Sequence, residues 1–242
     1  MEYGLGLGRA NDMDELEILK VIQHSQEEYY SSLFKDYGYS PKSVGSENLT
    51  TKHMRYFKLS QIFSGDDHFT LHDVGHGLGH YYDFLNSSYK DKCIAYSGSE
   101  ICKDFVEFCT TKYPACKFYY RNLSEKPFPE TYDYIVFGGT FYHIEENDPL
   151  DWKIFIESSL SNGFDSCNKG MSFNFITEFC DYFKNGLYYC RLDHIISFIA
   201  HNLSRFFVID HSYPLYEFTI YVYKENYVKS LYPDIELKRY FK

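Results

Sequence analysis

The stretch Phe69–His80, which reads FTLHDVGHGLGH, decides the fold class of this chain. A short apolar segment runs into Asp73 and then into three glycines on alternate positions, Gly75, Gly77 and Gly79. Glycine has no Cβ, so it can turn at positive φ and let the backbone approach a ligand closely. In open α/β sheets, ligands bind at the carboxyl ends of strands, where such loops lie. The stretch therefore predicts a strand followed by a nucleoside-cofactor loop, in which Asp73 accepts hydrogen bonds from a cationic ligand group or from loop amides.

The rest of the chain alternates short apolar runs with amphipathic segments. Residues 134–137 are fully apolar, as expected of a central parallel strand that is covered on both faces. Strands are predicted at 69–74, 92–97, 117–121, 134–137, 169–176, 206–210 and 217–223, and helices between them at 80–87, 100–113, 152–160 and 192–203. This alternation predicts a Rossmann-like, doubly wound α/β fold with right-handed crossovers.

Two further amphipathic helices, at 14–34 and 52–63, precede the first strand. We interpret residues 1–65 as an N-terminal helical lid and residues 66–242 as a single core domain, because 65 residues are too few for a separate core. Residues 1 to about 12 are expected to be disordered.

Composition and charge argue against nucleic-acid and membrane partners. The 242-residue chain has a net charge of −10, and an acidic surface repels phosphate backbones, which disfavours a nucleic-acid substrate. The N-terminus lacks a basic-then-apolar signal, and no run reaches the ~18 apolar residues of a membrane span. The seven scattered cysteines contain no C-x-x-C pair, which favours reduced thiols. We therefore expect a cytoplasmic protein without a membrane partner.

The spacing of the glycines separates two kinds of nucleoside loop. A dinucleotide-binding oxidoreductase shows G-x-G-x-x-G, whereas here the third glycine comes one residue early. A nicotinamide cofactor remains an alternative that ligand binding can test. His72, His76 and His80 have the four-residue spacing of helical metal ligands, but the glycines between them make a helix implausible, so no metal site is predicted.

The pattern D-x-G-x-G-x-G resembles the first motif of the class I S-adenosylmethionine-dependent methyltransferases. The segments 53–59, 132–141, 170–175 and 211–219 resemble a small-molecule subgroup of that family, often associated with polysaccharide or secondary-metabolite gene clusters. The resemblance implies a seven-stranded, mostly parallel sheet with its last strand antiparallel. It also implies S-adenosylmethionine as methyl donor and S-adenosylhomocysteine as product. Ser212 stands where an acid is expected after His211, which puts a His–Asp pairing there in doubt.

The resemblance also suggests residue roles. Glu100, shortly after the second predicted strand, is expected to bind the ribose hydroxyls, although it can also cap the next helix. Asn122 is expected to read the adenine, and Arg55 to meet the donor's carboxylate. The residues expected to contact the donor are Asp73, Gly75, Gly77, Gly79, Glu100, Asn122, Gly138 and Arg55.

The pocket for the methyl acceptor is expected to lie after the fourth predicted strand. Phe141, Tyr142 and Asn174 are candidate acceptor-pocket walls. His143 is the preferred general base and His211 the second candidate, since an ordinary histidine pKa of ~6.5 suits proton removal. We predict O-methylation of a sugar or metabolite. An N-methyltransferase, a donor-binding scaffold without turnover and a homodimer stay open.

Overall fold

The computed structural model describes residues 13–45 and 49–241 as an α/β fold built on one sheet. Its strands are β1 His68–Val74, β2 Cys93–Glu100, β3 Lys117–Tyr120, β4 Tyr132–Phe137, β5 Cys167–Thr177, β6 Tyr189–Cys190, β7 Phe207–Asp210 and β8 Glu217–Tyr223. Their order is β3-β2-β1-β4-β5-β8-β7, and the two-residue β6 pairs with β5. β8 runs antiparallel to both β5 and β7, and the other pairs are parallel. The predicted doubly wound sheet with an antiparallel last strand is confirmed, and β6 is an addition to the seven expected strands.

Helices cover both faces of this sheet. They are α1 Glu15–Tyr37, α2 Leu49–Leu59, α3 His80–Ser88, α4 Lys103–Lys112, α5 Pro149–Asp165, α6 Leu192–Phe198 and α7 Glu225–Leu231. Two of these helices start with a side-chain N-cap. Asp14 accepts the Glu17 amide at 2.8 Å at the start of α1, and Asp148 accepts the Leu150 amide at 2.8 Å before α5.

The alternation of β4 explains its fully apolar sequence. Tyr134 and Val136 pack into a cluster with residues of α2 and α3, whereas Ile135 and Phe137 pack into the cluster that contains Trp152 of α5. Successive side chains of a strand point to opposite faces, so a strand buried between two helical layers has to be apolar at every position.

Element boundaries differ from the prediction around Glu100. β2 extends to Glu100 instead of ending at 97, and α4 begins at Lys103 instead of 100. The Glu100 carboxylate accepts the amides of Ile101 and Cys102 at 2.7 and 3.1 Å. These bonds hold the chain in a turn after the strand, so the helix cannot begin there. The last five residues of the predicted helix 192–203 are likewise a separate π-helical turn, Ile199–Leu203.

Three further observations bear on the sequence predictions. No helix in residues 13–45 and 49–241 has the length and apolar character needed to cross a membrane. All seven cysteines are free thiols. The expected disorder of residues 1 to about 12 lies outside the described residues, and the division of the chain at residue 65 stays a prediction.

Candidate functional site

A cavity of about 650 Å³ lies at the carboxyl edge of the parallel strands, where β1, β2 and β4 end. Its size is within the ~300–1,000 Å³ usual for cofactor and small-molecule sites. α1, the turn Pro41–Val44 and α2 contribute lining residues on the side opposite the sheet. The N-terminal helices and the strand ends therefore enclose the cavity together.

The glycine loop forms the floor of the cavity beside β1. Gly75 and Gly77 have φ values of +74° and +53°, a region that side-chain-bearing residues rarely adopt. A Cβ on Gly75 would lie 3.0 Å from Thr140, and one on Gly77 would lie 2.9 Å from Val44. Both backbone conformation and close packing thus require glycine, as the motif predicted.

Glu100 ties this loop to the end of β2. One carboxylate oxygen accepts the Gly77 amide at 3.0 Å, and the other accepts the amides of Ile101 and Cys102. Burial raises the pKa of Glu100, and these three amide bonds oppose the rise. A carboxylate has about four acceptor positions, so one remains for a ligand hydroxyl. The residue can therefore hold the turn after β2 and bind a ribose at the same time.

Asn122 lies at the cavity with its side chain already engaged. Its Oδ1 accepts the amide and hydroxyl of Ser124 at 3.0 and 2.7 Å, and its Nδ2 donates to Gln23 of α1 at 3.0 Å. A carbonyl oxygen has two lone pairs. An adenine amine would therefore have to compete with Ser124 for this oxygen.

A buried ion pair crosses the cavity wall between α2 and β8. The Arg55 guanidinium donates Nε to Glu217 Oε2 at 2.8 Å and Nη2 to Glu217 Oε1. The Tyr142 hydroxyl donates to the same carboxylate at 2.6 Å, and Asn174 Oδ1 accepts the Gly139 amide at 2.8 Å. Burial opposes the charge of Arg55, but Tyr142 and Glu217 outweigh it and raise its pKa. Arg55 is a permanent cation whose charge is balanced inside the protein.

A second buried cation, Lys52, lies one helical turn before Arg55. Its side chain is only 4% exposed, and its Nζ lies 3.0 Å from Nδ1 of His80, the first residue of α3. Burial lowers the pKa of Lys52 to about 7, with Arg55 adding to the effect and Asp73 opposing it. Burial also lowers the pKa of His80 to about 3, and Lys52 contributes. His80 is therefore neutral at pH 7, and in the tautomer with its proton on Nε2 its Nδ1 accepts from the Lys52 ammonium.

His143 lines the other half of the cavity. Its Nδ1 lies 3.2 Å from Oε1 of Glu145 and 3.4 Å from the hydroxyl of Tyr29 on α1. The opposite nitrogen, Nε2, packs against Gly45, where an added Cβ would lie only 2.2 Å from it. Burial lowers the pKa of His143, while Glu145 and a backbone hydrogen bond at Gly45 oppose the shift. The lowered pKa favours the neutral imidazole, with Nδ1 beside the Glu145 carboxylate and Nε2 covered by Gly45.

The structure brings most of the predicted site residues to this one cavity. Those that line it are Arg55, Gly75, Gly77, Glu100, Asn122, Gly138, Tyr142 and His143. The others lie away from its surface: Asp73, Gly79, Phe141, Asn174 and His211.

Each residue outside the lining has a definite alternative position. Asp73 accepts the Tyr96 hydroxyl at 2.7 Å under the floor, and burial raises its pKa to about 7 although that bond opposes the shift. Gly79 precedes α3, Phe141 is packed in the core, and Asn174 supports Tyr142 from beneath. His211 is exposed and packs edge-on against Phe218. For these five residues, direct ligand contact stays a prediction.

Sequence reasoning overlooked four groups at the cavity: Lys52, Tyr29, Glu145 and Glu217. Glu217 had a detectable signal, because it is an acid that opens an otherwise apolar strand, and Glu145 follows His143 by two residues. Lys52 and Tyr29 had none, since each is a polar residue on a helix that reads as amphipathic.

Metal ligation has no support in the described ranges 13–45 and 49–241, which contain no group of three His, Cys, Asp or Glu side chains arranged to hold an ion. His72, His76 and His80 make separate contacts, to a serine hydroxyl at 2.8 Å, a backbone carbonyl at 2.8 Å and Lys52 at 3.0 Å.

Comparison with known proteins identifies the fold. No family model matches the chain. A Mycobacterium tuberculosis protein that is provisionally named a methyltransferase is 26% identical over 169 residues, which cover 69% of this chain and 99% of that protein. The 1,6-didemethyltoxoflavin-N1-methyltransferase of Burkholderia thailandensis gives a TM-score of 0.58 at 10% identity, covering 90% of this chain and 93% of its own.

A second solved structure, the magnesium protoporphyrin IX methyltransferase of Synechocystis PCC 6803 with bound S-adenosylhomocysteine, gives a TM-score of 0.55 at 11% identity. The match covers 88% of this chain and 100% of that one. Together with the strand order, these matches show that the chain has the fold of the class I S-adenosylmethionine-dependent methyltransferases. The resemblance carried by Phe69–His80 is confirmed at that level.

Proposed function

We propose that this protein transfers a methyl group from S-adenosylmethionine to a small molecule, and that the acceptor atom is a hydroxyl oxygen of a sugar or metabolite. The observation that carries the proposal is the cavity itself. It joins a glycine loop and a buried carboxylate, Glu100, on one side to a neutral, carboxylate-oriented imidazole, His143, on the other. The relatives of this fold that bind the donor or its product support the choice of cofactor.

The residues present fit that donor. The Glu100 carboxylate has an acceptor position left for a ribose hydroxyl, and the bare backbone of Gly75 and Gly138 allows close approach of the rest of the molecule. S-adenosylmethionine supplies an electrophilic methyl group on a sulfonium that leaves as a neutral thioether. The protein's contribution is then to hold acceptor and methyl group in line and to exclude water.

His143 takes up the proton that an attacking hydroxyl loses. Its Nδ1 faces Glu145 and Tyr29, so Nε2 is the nitrogen that can accept this proton once the turn at Gly45 moves aside. Glu145 then stabilises the imidazolium, because a carboxylate beside a histidine favours its charged form. Tyr142 and the exposed aromatic ring of Tyr182 line the acceptor half of the cavity.

The net charge of −10 supports a small-molecule acceptor over a nucleic acid. A homodimer and a cytoplasmic location stay predictions from the sequence.

Calorimetric titration with S-adenosylhomocysteine tests the donor site, and mass-spectrometric detection of a 14-Da gain across a panel of sugars, phenols and amines tests turnover. We expect micromolar binding and methylation of a hydroxyl acceptor. A thermal shift with NAD but none with S-adenosylhomocysteine would identify the oxidoreductase alternative instead. Tight product binding without methylation of any acceptor would favour the scaffold alternative.

A further inference from the structure

Lys52 is a buried amine whose charged form lacks a carboxylate partner in the described residues. Its only hydrogen-bond partner there is the neutral His80 ring, 3.0 Å from Nζ, although an ammonium group has three N–H donors. Burying a charge is costly unless another group compensates it. The Asp73 carboxylate is close enough to influence Lys52 but is bonded to Tyr96 and forms no ion pair with it. Within the described residues, the charged form of Lys52 therefore has no anionic partner.

Arg55, which the sequence suggested for the donor's carboxylate, is in the opposite situation. Its guanidinium makes a two-point contact with Glu217, and its ring-face contact with Tyr142 has the guanidinium carbon 4.9 Å from the centroid. Drawing Arg55 toward a ligand would leave Glu217 buried and partly uncompensated, at 10% side-chain exposure. The pairing makes Arg55 a structural tie between α2 and β8.

The position of Lys52 fits one end of the donor. Glu100 and Asn122 lie at the ends of β2 and β3, whereas Lys52 contacts His80 at the N-terminus of α3, directly after the glycine loop of β1. Sheet order places β1 next to β2 on the side away from β3. A donor whose nucleoside occupies the β2–β3 side would extend its amino-acid end over β1, toward Lys52. A helix N-terminus there also favours negative charge.

We propose that the Lys52 ammonium, supported by His80, binds a ligand carboxylate, and that this group is the α-carboxylate of the methyl donor. The inference rests on the proposed function and replaces Arg55 with Lys52 in this role. Donor binding then supplies Lys52 with a carboxylate partner. The groups that face Lys52 are Arg55 on its own helix, Asp73 on β1 and His80 on α3. Because a carboxylate stabilises the ammonium, donor binding near pH 8 is accompanied by proton uptake.

The test compares ligands with and without the carboxylate. S-adenosylhomocysteine, decarboxylated S-adenosylmethionine and 5′-methylthioadenosine are titrated into the full-length protein and into its Lys52→Met variant by calorimetry. We expect Lys52→Met to weaken S-adenosylhomocysteine binding at least tenfold and to leave the other two affinities within about twofold, since a charged hydrogen bond is lost only for the first. Its melting temperature should not fall, because the substitution removes an uncompensated buried charge.

Two further variants serve as controls. Lys58→Met makes the same charge change on the same helix at a residue that pairs with Asp210 outside the cavity, and it should leave all three affinities unchanged. The double variant Arg55→Gln/Glu217→Gln removes the ion pair without stranding a charge, and it should keep the preference for S-adenosylhomocysteine over 5′-methylthioadenosine. Titrations in phosphate and in Tris at pH 8 should show proton uptake by the wild type that Lys52→Met reduces.

The outcomes separate the possible errors. Equal weakening of all three ligands by Lys52→Met, or no weakening of any, overturns the role of Lys52. If the double variant loses the preference for S-adenosylhomocysteine over 5′-methylthioadenosine, Arg55 and not Lys52 binds the donor's carboxylate. If Lys52→Met leaves donor affinity unchanged but raises the KM for an anionic acceptor, the carboxylate that Lys52 binds belongs to the acceptor, which also overturns the proposal. A wild-type protein that binds none of the three ligands refutes the proposed function itself.

Discussion

Substituting Gly45 by alanine tests the position of His143 with a single methyl group. Gly45 follows the turn Pro41–Val44 with φ +66° and ψ 19°, and a Cβ there would lie 2.2 Å from His143 Nε2 and 2.7 Å from Cε1. Ordinary contacts of this kind are about 3.5–4.0 Å. The ring or the turn must therefore retreat by roughly 1.3 Å, and the ring is also held by Glu145 and Tyr29.

The expected loss follows from that displacement. A misplacement of about 1 Å at a reacting group can cost about a hundredfold in rate, so we expect kcat/KM of Gly45→Ala to fall by about two orders of magnitude. Backbone strain adds a separate cost in stability of about 1–2 kcal/mol for a non-glycine residue in the left-handed region. Donor affinity should fall less than kcat/KM, since Gly45 itself meets His143 and only the neighbouring Val44 meets the donor loop at Gly77.

Gly38→Ala is the matched control. Gly38 also has a positive φ of +58°, but a Cβ there meets no atom within 4 Å. Its ψ of −142° makes the conformation at least as unfavourable for alanine. Both variants should therefore lose stability in scanning calorimetry, and only Gly45→Ala should lose activity in the methyl-transfer assay. Equal kcat/KM values for the two variants would refute the placement of His143 as the base.

Three other substitutions address the remaining groups. Glu100→Ala should weaken S-adenosylhomocysteine binding at least tenfold in calorimetry, whereas Glu107→Ala on the exposed face of α4 should not; equal affinities would remove Glu100 from the donor site. His143→Ala should reduce kcat with a hydroxyl acceptor by about 10²–10⁴, while a small loss in steady-state kinetics would favour an amine acceptor. Asp73→Asn should stabilise the protein relative to the wild type increasingly as pH rises from about 4 to 7. The folded protein holds the proton of Asp73 up to about pH 7 whereas the unfolded chain releases it near pH 4, so wild-type stability falls across that window and the variant's does not. If the melting temperatures of the two proteins depend on pH in the same way, the raised pKa of Asp73 is contradicted.

Local pattern was enough to predict the sheet. The alternate glycines after an apolar run specify a strand end and a tight loop, and the fully apolar residues 134–137 specify a strand covered on both faces. Both signals come from a few neighbouring residues, so they do not depend on knowing which distant segments meet. The same holds for the cavity residues Gly75, Gly77 and Glu100, which the motif spacing predicts and the cavity lining contains.

The two-residue alternation of β1 also determines where the side chain of Asp73 points. Phe69 and Leu71 belong to the core cluster on the α2–α3 face, and a strand with period two places Asp73 on that same face. Its side chain therefore lies beneath the loop, bonded to Tyr96 of β2, instead of facing the cavity. Counting the alternation from Phe69 would have predicted this orientation.

The charge partners lay beyond any local pattern. Arg55 and Glu217 are 162 residues apart, and Lys52 and His80 are 28 apart on different helices. Glu217 neutralises Arg55 and not Lys52 because β8 runs antiparallel to β5 and brings Glu217 beside α2 at Arg55. Sequence spacing does not encode that neighbour, so Arg55 seemed free and Lys52 seemed unremarkable.

The turn Pro41–Val44 and the following Gly45 contact both halves of the cavity. Val44 packs against the donor loop at Gly77, and Gly45 packs against the ring of His143. A shift of this turn that frees Nε2 of His143 also loosens the wall beside Gly77. We therefore expect donor contacts at this loop to influence the position of the proposed base, His143, through the turn and without any contact between Glu100 and His143.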